Sequence, residues 1–228
     1  LPTEKELEDL VYIISHDLKE PLRMINSYIQ LIAKKYITTL DGDAKDYFNY
    51  VIDGTKRLQM MIDDLASYSK ILRNDYKYEV VDLNTIANKV KETVIKLHKD
   101  VNLVINIEKL PSCYCYPDLF EILLMHLINN ALKFNSNTPC VNIRCVKKRS
   151  KLTFEIEDNG IGIDGQFYKE IFRVFRKLHT NKEYPGSGIG LAICKKIVEK
   201  HGGKIWFTSS KTKGTIFFFT LMNNKHIN

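Results

Sequence analysis

No apolar run of about 18 residues, the length a membrane-spanning helix needs, occurs in the chain. The N-terminal stretch also lacks the apolar core of a signal peptide, so this piece is expected neither to span a membrane nor to be exported by itself. The five cysteines, Cys113, Cys115, Cys140, Cys145 and Cys194, are odd in number and form no Cys-x-x-Cys pair. That argues against a disulfide framework or a zinc site and for a reducing, cytoplasmic compartment. Charge of one sign is lacking too: 34 Lys plus Arg stand against 27 Asp plus Glu, leaving +7. The basic residues are dispersed and no nucleic-acid-binding motif accompanies them, so no nucleic-acid partner is expected. A phosphate-rich ligand would use the same excess. Internal repeats and low-complexity segments are absent. What is present, 228 residues that are 44% hydrophobic and 11% aromatic, suffices for one or two globular domains.

Residues 3 to 38 read as one long helix with Pro21 inside it, where proline removes a hydrogen bond and bends the axis. Its apolar positions Leu7, Val11, Ile14, Leu18, Ile25, Ile29 and Ile32 predict one buried stripe. The segment from Thr38 to Asp43 is a turn, with Asp41 or Asp43 available as a cap. A second helix follows, its stripe Tyr47, Val51, Thr55, Leu58, Ile62, Leu65, Ser69 and Leu72 close to a heptad repeat. Such a hairpin has too little core alone, so two copies are expected to associate as a four-helix bundle. The boundary falls near Arg73 to Lys77, giving domains 1–75 and 76–228. Beyond it the pattern predicts helix 82–100, strand 101–107, a short strand 113–116 and helix 118–134. Strands 140–147 and 151–157, helix 188–201, and strands 204–209 and 215–221 follow, an α+β sandwich with helices on one face of a sheet.

Four places carry chemistry. His16 and Asp17 put an imidazole beside a carboxylate on the first helix, with His16 off the apolar stripe. Asp158, Gly160 and Gly162 lie where a strand enters a turn; an aspartate there can accept from an amino group on a base, and glycine admits close backbone approach. Gly186, Ser187, Gly188, Gly190 and Leu191 open a helix, a ready phosphate site, without the form of a dinucleotide fingerprint or a P-loop. Asn129 and Asn130 sit late in an otherwise apolar helix, where a polar pair is costly to bury without a partner. A metal bound to phosphates is one such partner.

Taken in order, these segments resemble the catalytic core of a two-component sensor histidine kinase over essentially the whole chain. Ser-His-Asp-Leu-Lys-Glu-Pro-Leu from Ser15 resembles the H box, and His-Leu-Ile-Asn-Asn-Ala-Leu-Lys-Phe from His126 the N box. Asp-Asn-Gly-Ile-Gly-Ile from Asp158 resembles the G1 box, Ile171 to Leu178 the F box, and Gly-Ser-Gly-Ile-Gly-Leu from Gly186 the G2 box. The wording from Arg176 to Cys194 is nearest the bacteriophytochrome-like and PAS-linked branch.

The resemblance implies a dimeric four-helix bundle followed by a Bergerat (GHKL-type) ATP-binding sandwich. His16 would be the phosphoacceptor, Asp17 the carboxylate that orients it and takes its proton, and Asn130 the Mg²⁺ ligand. Asp158 would accept from the adenine amino group, Lys133 and Lys177 would contact phosphate, and residues 164–187 would form a mobile lid. ATP and Mg²⁺ are the implied cofactors; the implied partners are a second copy, a response-regulator receiver domain and an upstream sensor on the same chain. Two positions depart from the pattern: His126 replaces the usual first Asn of the N box, and Lys177 a usual Arg, keeping charge without the bidentate fork. Glu20, four residues after His16, stands where members with phosphatase activity have Thr or Asn, so weak phosphatase activity is expected.

Overall fold

The computed structural model describes residues 4–36, 38–39, 41–72, 76–99, 101–148, 151–168, 170–178, 183–184, 186–210 and 214–222; the side chains of 4–12, 16 and 210 lie outside that description. The chain divides into two compact units, Leu1–Arg73 with Pro185–Ile189, and Asn74–Tyr184 with Gly190–Asn228. Among the described residues no helix is long and apolar enough to cross a membrane.

The first unit is a hairpin of α1 (Glu4–Tyr36) and α2 (Gly42–Leu72). Pro21 lies within α1 without ending it. Asp41 caps α2, its Oδ1 accepting the Ala44 N–H at 2.8 Å, one of the two aspartates expected there. The facing surfaces match the predicted stripes only in part, at Ile29, Thr55, Ile62, Leu65, Ser69 and Leu72. On α1 the covered positions are Ser15, Leu22, Asn26, Ile29 and Ala33, whereas Ile14, Leu18, Ile25 and Ile32 are exposed. On α2 the covered positions include Phe48, Ile52, Thr55, Gln59, Ile62, Ala66 and Ser69, stepping by four and three, together with Ile71, whereas Tyr47, Val51 and Leu58 are exposed. Each helix thus carries apolar residues both on its covered face and directly beside it, about 100° round the axis, as at Ile52 and Val51. Apolarity marks both, so periodicity alone blended them, and small or polar residues such as Ser15 and Ser69 sit on the face the helices share.

The second unit runs β1 (Glu79–Asp82), α3 (Leu83–Leu97), β2 (Val104–Ile107), β3 (Ser112–Cys115), α4 (Pro117–Lys133), β4 (Cys140–Lys148), β5 (Lys151–Asp158), α5 (Gly190–Lys200), β6 (Ile205–Ser210) and β7 (Gly214–Met222). Five strands form a sheet in the order β2-β4-β5-β7-β6, with β2 parallel to β4 and the other pairs antiparallel. Period-two burial along β5 turns Leu152, Phe154, Ile156 and Asp158 inward and leaves Glu155 and Glu157 on the other face. Phe154 stacks on Phe219 at 4.7 Å and meets Phe120 of α4 at 5.5 Å. With Leu123, Leu127, Ile193 and Ile197 they make a core between sheet and helices, each such side chain contributing about 1.5–3 kcal/mol.

Three boundaries differ from expectation. β1 was not anticipated: four residues with two valines are too short for a periodic signal, and the strand exists because β3, more than 30 residues on, pairs with it, Glu79 opposite Cys115. The strand expected at 101–107 begins only at Val104, because the Val101 N–H closes a turn onto the His98 carbonyl at 3.0 Å. α5 starts at Gly190 rather than 188, since Gly188 has φ +83°. All five cysteines are free, with Cys113, Cys115 and Cys194 buried.

Candidate nucleotide site and phosphoacceptor helix

Asp158 ends β5 with its side chain turned inward and buried. Its Oδ1 accepts two backbone N–H groups, from Gly160 at 2.8 Å and Thr215 at 3.1 Å. Oδ2 makes no hydrogen bond among the described residues and remains available as an acceptor. Burial pushes this carboxyl above the ordinary carboxylate range, against the opposing pull of the two N–H donors. Two glycines let the backbone close around it. A methyl group at Gly160 would lie 2.4 Å from the Phe134 carbonyl oxygen, and one at Gly214, where φ is +80°, would lie 2.0 Å from the Asp158 carbonyl oxygen. The turn that begins at Asp158 is tied to the end of α4 by the Ile161 N–H donating to Phe134 O at 2.9 Å.

The residue between them, Asn159, is a clip rather than a ligand. Its Oδ1 accepts from Asn135 Nδ2 at 2.6 Å and from the Cys140 N–H at 2.8 Å, and its Nδ2 donates to Thr138 O at 3.0 Å. Farther along, the Ile163 N–H donates to Ser209 Oγ at 2.7 Å, and Ser209 Oγ donates to Gly214 O at 2.9 Å. Sequence reasoning missed Asn159 in this role, and Ser209 and Thr215 altogether. Asn159 lay inside a motif already in view, but nothing in local spacing marks Ser209 or Thr215, which reach the site through strand register.

The last turn of α4 brings Asn130 and Lys133 to the same end of the unit. Burial, and secondarily the charge of Lys177, hold Lys133 below the ordinary lysine range. The Lys133 Nζ lies 4.7 Å from the ring centre of Phe134, and that ring meets Tyr184 at 4.8 Å. Tyr184 thus anchors the far end of the predicted lid, a contact the sequence did not signal. The near end is folded as tight turns: Asp164 caps a short 3-10 helix (Gly165–Phe167), Tyr168 stacks on Phe207 at 5.1 Å, and Ile171 is buried. Phe175 holds φ +62° while exposed, a costly conformation for an aromatic residue. Residues 169, 179–182 and 185 of the expected lid lie outside the described residues.

His126, the departure in the N box, packs on the start of α5: its Nδ1 is 3.2 Å from where a side chain at Gly190 would begin. Leu191 follows in the first turn of that helix. Gly162 takes φ +75° in the turn after Asp158. Gly186 and Gly188 also take positive φ, and Ser187 Oγ accepts the Ile189 N–H at 3.2 Å. These three belong to the segment that groups with the helical hairpin, so the structure does not join them to Asp158 within the second unit.

Mg²⁺ takes hard oxygen ligands and, when held through phosphates, needs only one or two from protein. Asn130 supplies a side-chain carbonyl oxygen, and in the same turn Asn129 Oδ1 is buried with no hydrogen-bond partner among the described residues, an acceptor the fold leaves open. The donors fit that ion. No group of three or more His, Cys, Asp or Glu among the described residues is arranged to hold a metal.

In the first unit His16 occupies a helical position of α1; its side chain lies outside the described residues. Asp17 is exposed beside it. Lys19, one turn on, forms an ion pair with Asp63 of α2 at 2.9 Å, and Gln59 Nε2 donates to the other Asp63 oxygen at 3.0 Å. Glu20 is exposed and makes no ion pair among the described residues.

Residues 6–74 match the family model described as His Kinase A (phospho-acceptor) domain, and residues 115–225 that described as Histidine kinase-, DNA gyrase B-, and HSP90-like ATPase. The chain is 35% identical over 217 residues to Phytochrome-like protein Cph1 of Synechocystis sp., a match covering 95% of this chain and 29% of that protein. It is 36% identical over 217 residues to Cyanobacterial phytochrome A of Nostoc sp., covering 95% and 28%. Sensor protein kinase WalK of Staphylococcus aureus is 30% identical over 232 residues, covering 96% and 54%. The chain thus spans under a third of the phytochromes it matches. Among solved structures, full-length ShkA in complex with AMPPNP has a TM-score of 0.70 at 19% identity, covering 93% of this chain and 45% of that one. The histidine kinase AdeS of Acinetobacter baumannii has 0.64 at 20% identity, covering 92% and 98%; these likenesses are of fold.

Proposed function

Because the chain belongs to the sensor histidine kinase family, as a catalytic core close to the phytochrome-like branch, we propose that it phosphorylates its own His16 from Mg-ATP and passes the phosphoryl group to an aspartate of a response regulator. The observation that carries the reading is Asp158, a buried carboxylate with one oxygen saturated by backbone and the other left to accept. That is the acceptor an adenine amino group needs, and an exposed structural aspartate would need no such frame.

In this reading residues 1–75 dimerise and carry the phosphoacceptor, and residues 76–228 bind the nucleotide. A purine amino group donates to Asp158 Oδ2. Lys133 and Lys177 neutralise phosphate charge, and the glycine-rich turn from Gly186 to Gly190 offers backbone N–H groups to it. Asn130 would hold Mg²⁺, which offsets charge on the phosphates when bound. An imidazole nitrogen of His16 attacks the γ-phosphorus in line: an N–P bond forms, the bridging O–P bond breaks, and ADP leaves with that electron pair. Asp17 takes the imidazole proton. The phosphohistidine then donates to the regulator's aspartate. The exposed faces of α1 and α2 are covered by a second copy, and an upstream sensor on the full-length protein supplies the input.

Incubation with ATP labelled on the γ-phosphate tests this. Acid-labile, base-stable label on the wild-type protein and none on His16→Gln is the expected result, with nucleotide binding retained in the variant. Free phosphate without labelled protein would instead identify an ATPase of the same fold.

A further inference from the structure

We propose that Lys19 is the transferable counter-ion of phosphorylated His16, held by Asp63 of α2 until the phosphoryl group arrives. The inference rests on the phosphoacceptor reading of His16. From Ser15 to Leu22 the sequence contains one cation, Lys19, against Asp17 and Glu20. A phosphoryl group on His16 adds close to two negative charges amid these acids. Lys19 follows His16 by one helical turn, the spacing at which two side chains share a face.

In the structure that lysine is committed across the hairpin instead, its Nζ 2.9 Å from Asp63 Oδ1. Both partners are close to half exposed, at 41% and 50%, and an ion pair that open to water resists exchange weakly. Asp63 is not stranded when Lys19 leaves, because Gln59 Nε2 still donates to its Oδ2 at 3.0 Å. Phosphorylation therefore exchanges a bond between α1 and α2 for one within α1, and Asp63 acts as a positioning residue that competes with the product for the same cation.

A tether and a counter-ion store respond differently to Asp63→Asn. Rate constants and KM for ATP are measured on the full chain for wild type, Lys19→Met, Asp63→Asn and the double variant, with melting temperature as the control for folding. Lys19→Met is expected to lower kcat about tenfold with KM within about twofold, since the missing charge acts on the transferred group and not on nucleotide binding. Asp63→Asn should run at or above the wild-type rate, and the double variant should match Lys19→Met. An unchanged Lys19→Met, or a fall in Asp63→Asn alongside Lys19→Met, would overturn the proposal. In a second arm His16 is loaded from phosphoramidate, its P–N bond breaking as ammonia departs with the imidazole proton and a new N–P bond forms. The lifetime of the phosphohistidine should be about tenfold shorter in Lys19→Met; an equal lifetime also overturns the proposal. Labelling from phosphoramidate but not from ATP would sink the kinase reading while leaving these lifetimes to decide the role of Lys19.

Discussion

The backbone N–H of Thr215 donates to Asp158 Oδ1 from 57 residues away, so the carboxylate at the end of β5 is oriented by β7 as firmly as by its own turn. Asparagine can keep that arrangement through its own oxygen, while its amide nitrogen replaces Oδ2. Asp158→Asn should therefore fold with an unchanged or slightly higher melting temperature, because a buried charge is removed. ATP affinity should fall about 10- to 100-fold, the cost of opposing two donors. Calorimetric titration beside a thermal melt reads both, and unchanged affinity would remove Asp158 from adenine recognition.

Buried His201 makes the second unit acid-sensitive. Its Nε2 accepts the Tyr116 N–H at 3.0 Å, so Nδ1 carries the proton and donates to Ile197 O at 2.8 Å. Burial holds the imidazole down to about 4, against 6.5 ordinarily. Between those values the unfolded chain binds the extra proton, so stability is full above about pH 6.5 and falls as pH drops. The loss should reach about 2 kcal/mol at pH 5 relative to pH 7. Urea unfolding of the second unit across that range, with His201→Gln flattening this part of the slope, is the check.

Much of this was legible in sequence for a physical reason. Helices α1 to α5 and strands β4 to β7 carry enough alternating residues for their period to register, and the Asp158 turn is local. β1 was not legible, because a four-residue strand is defined by its partner. Neither were Thr215 and Ser209, which reach the site through register, nor Tyr184, whose contact with Phe134 closes a loop. The hairpin stripes were legible only in part: Thr55, Ile62 and Ser69 lie on the covered face as expected, but Tyr47, Val51 and Leu58 beside it are exposed, and the two faces add up to a single broad signal.

Those two faces make opposite predictions. Leu58 is 48% exposed and Ile62 5%. Leu58→Glu, combined with Leu65→Glu, should give a folded monomer by sedimentation at micromolar concentration, with helical circular dichroism kept. Ile62→Glu should unfold the hairpin by placing a charge between α1 and α2. A monomeric wild type would refute the bundle.

Asp17→Asn should slow protein labelling about 100-fold, as loss of a general base does, without changing ATP affinity. A rate within about twofold of wild type would show that the proton leaves by another route.

Glu20 has no ion-pair partner among the described residues, since Lys19 is engaged by Asp63. It therefore presents an uncompensated acceptor one turn from His16 to whatever docks there. Decay of a phosphorylated regulator should be slow with this protein and faster with Glu20→Asn; rapid decay that depends on Glu20 would reverse the assignment.

The cysteines give the second unit a chemical clock. Cys113, Cys115 and Cys194 are enclosed, and burial raises the Cys194 thiol well above its ordinary range and the Cys145 thiol to about 12. Only a thiolate alkylates at a useful rate. At neutral pH a small alkylating reagent should therefore leave Cys145, Cys194 and Cys115, whose thiol is likewise held above its ordinary range, untouched until the strand or helix that bears each one opens. Reading by mass which sulfur is modified first ranks β3, β4 and α5 by the free energy of their local opening, and a bound nucleotide that steadies α4 and α5 should slow the Cys194 hand of the clock most.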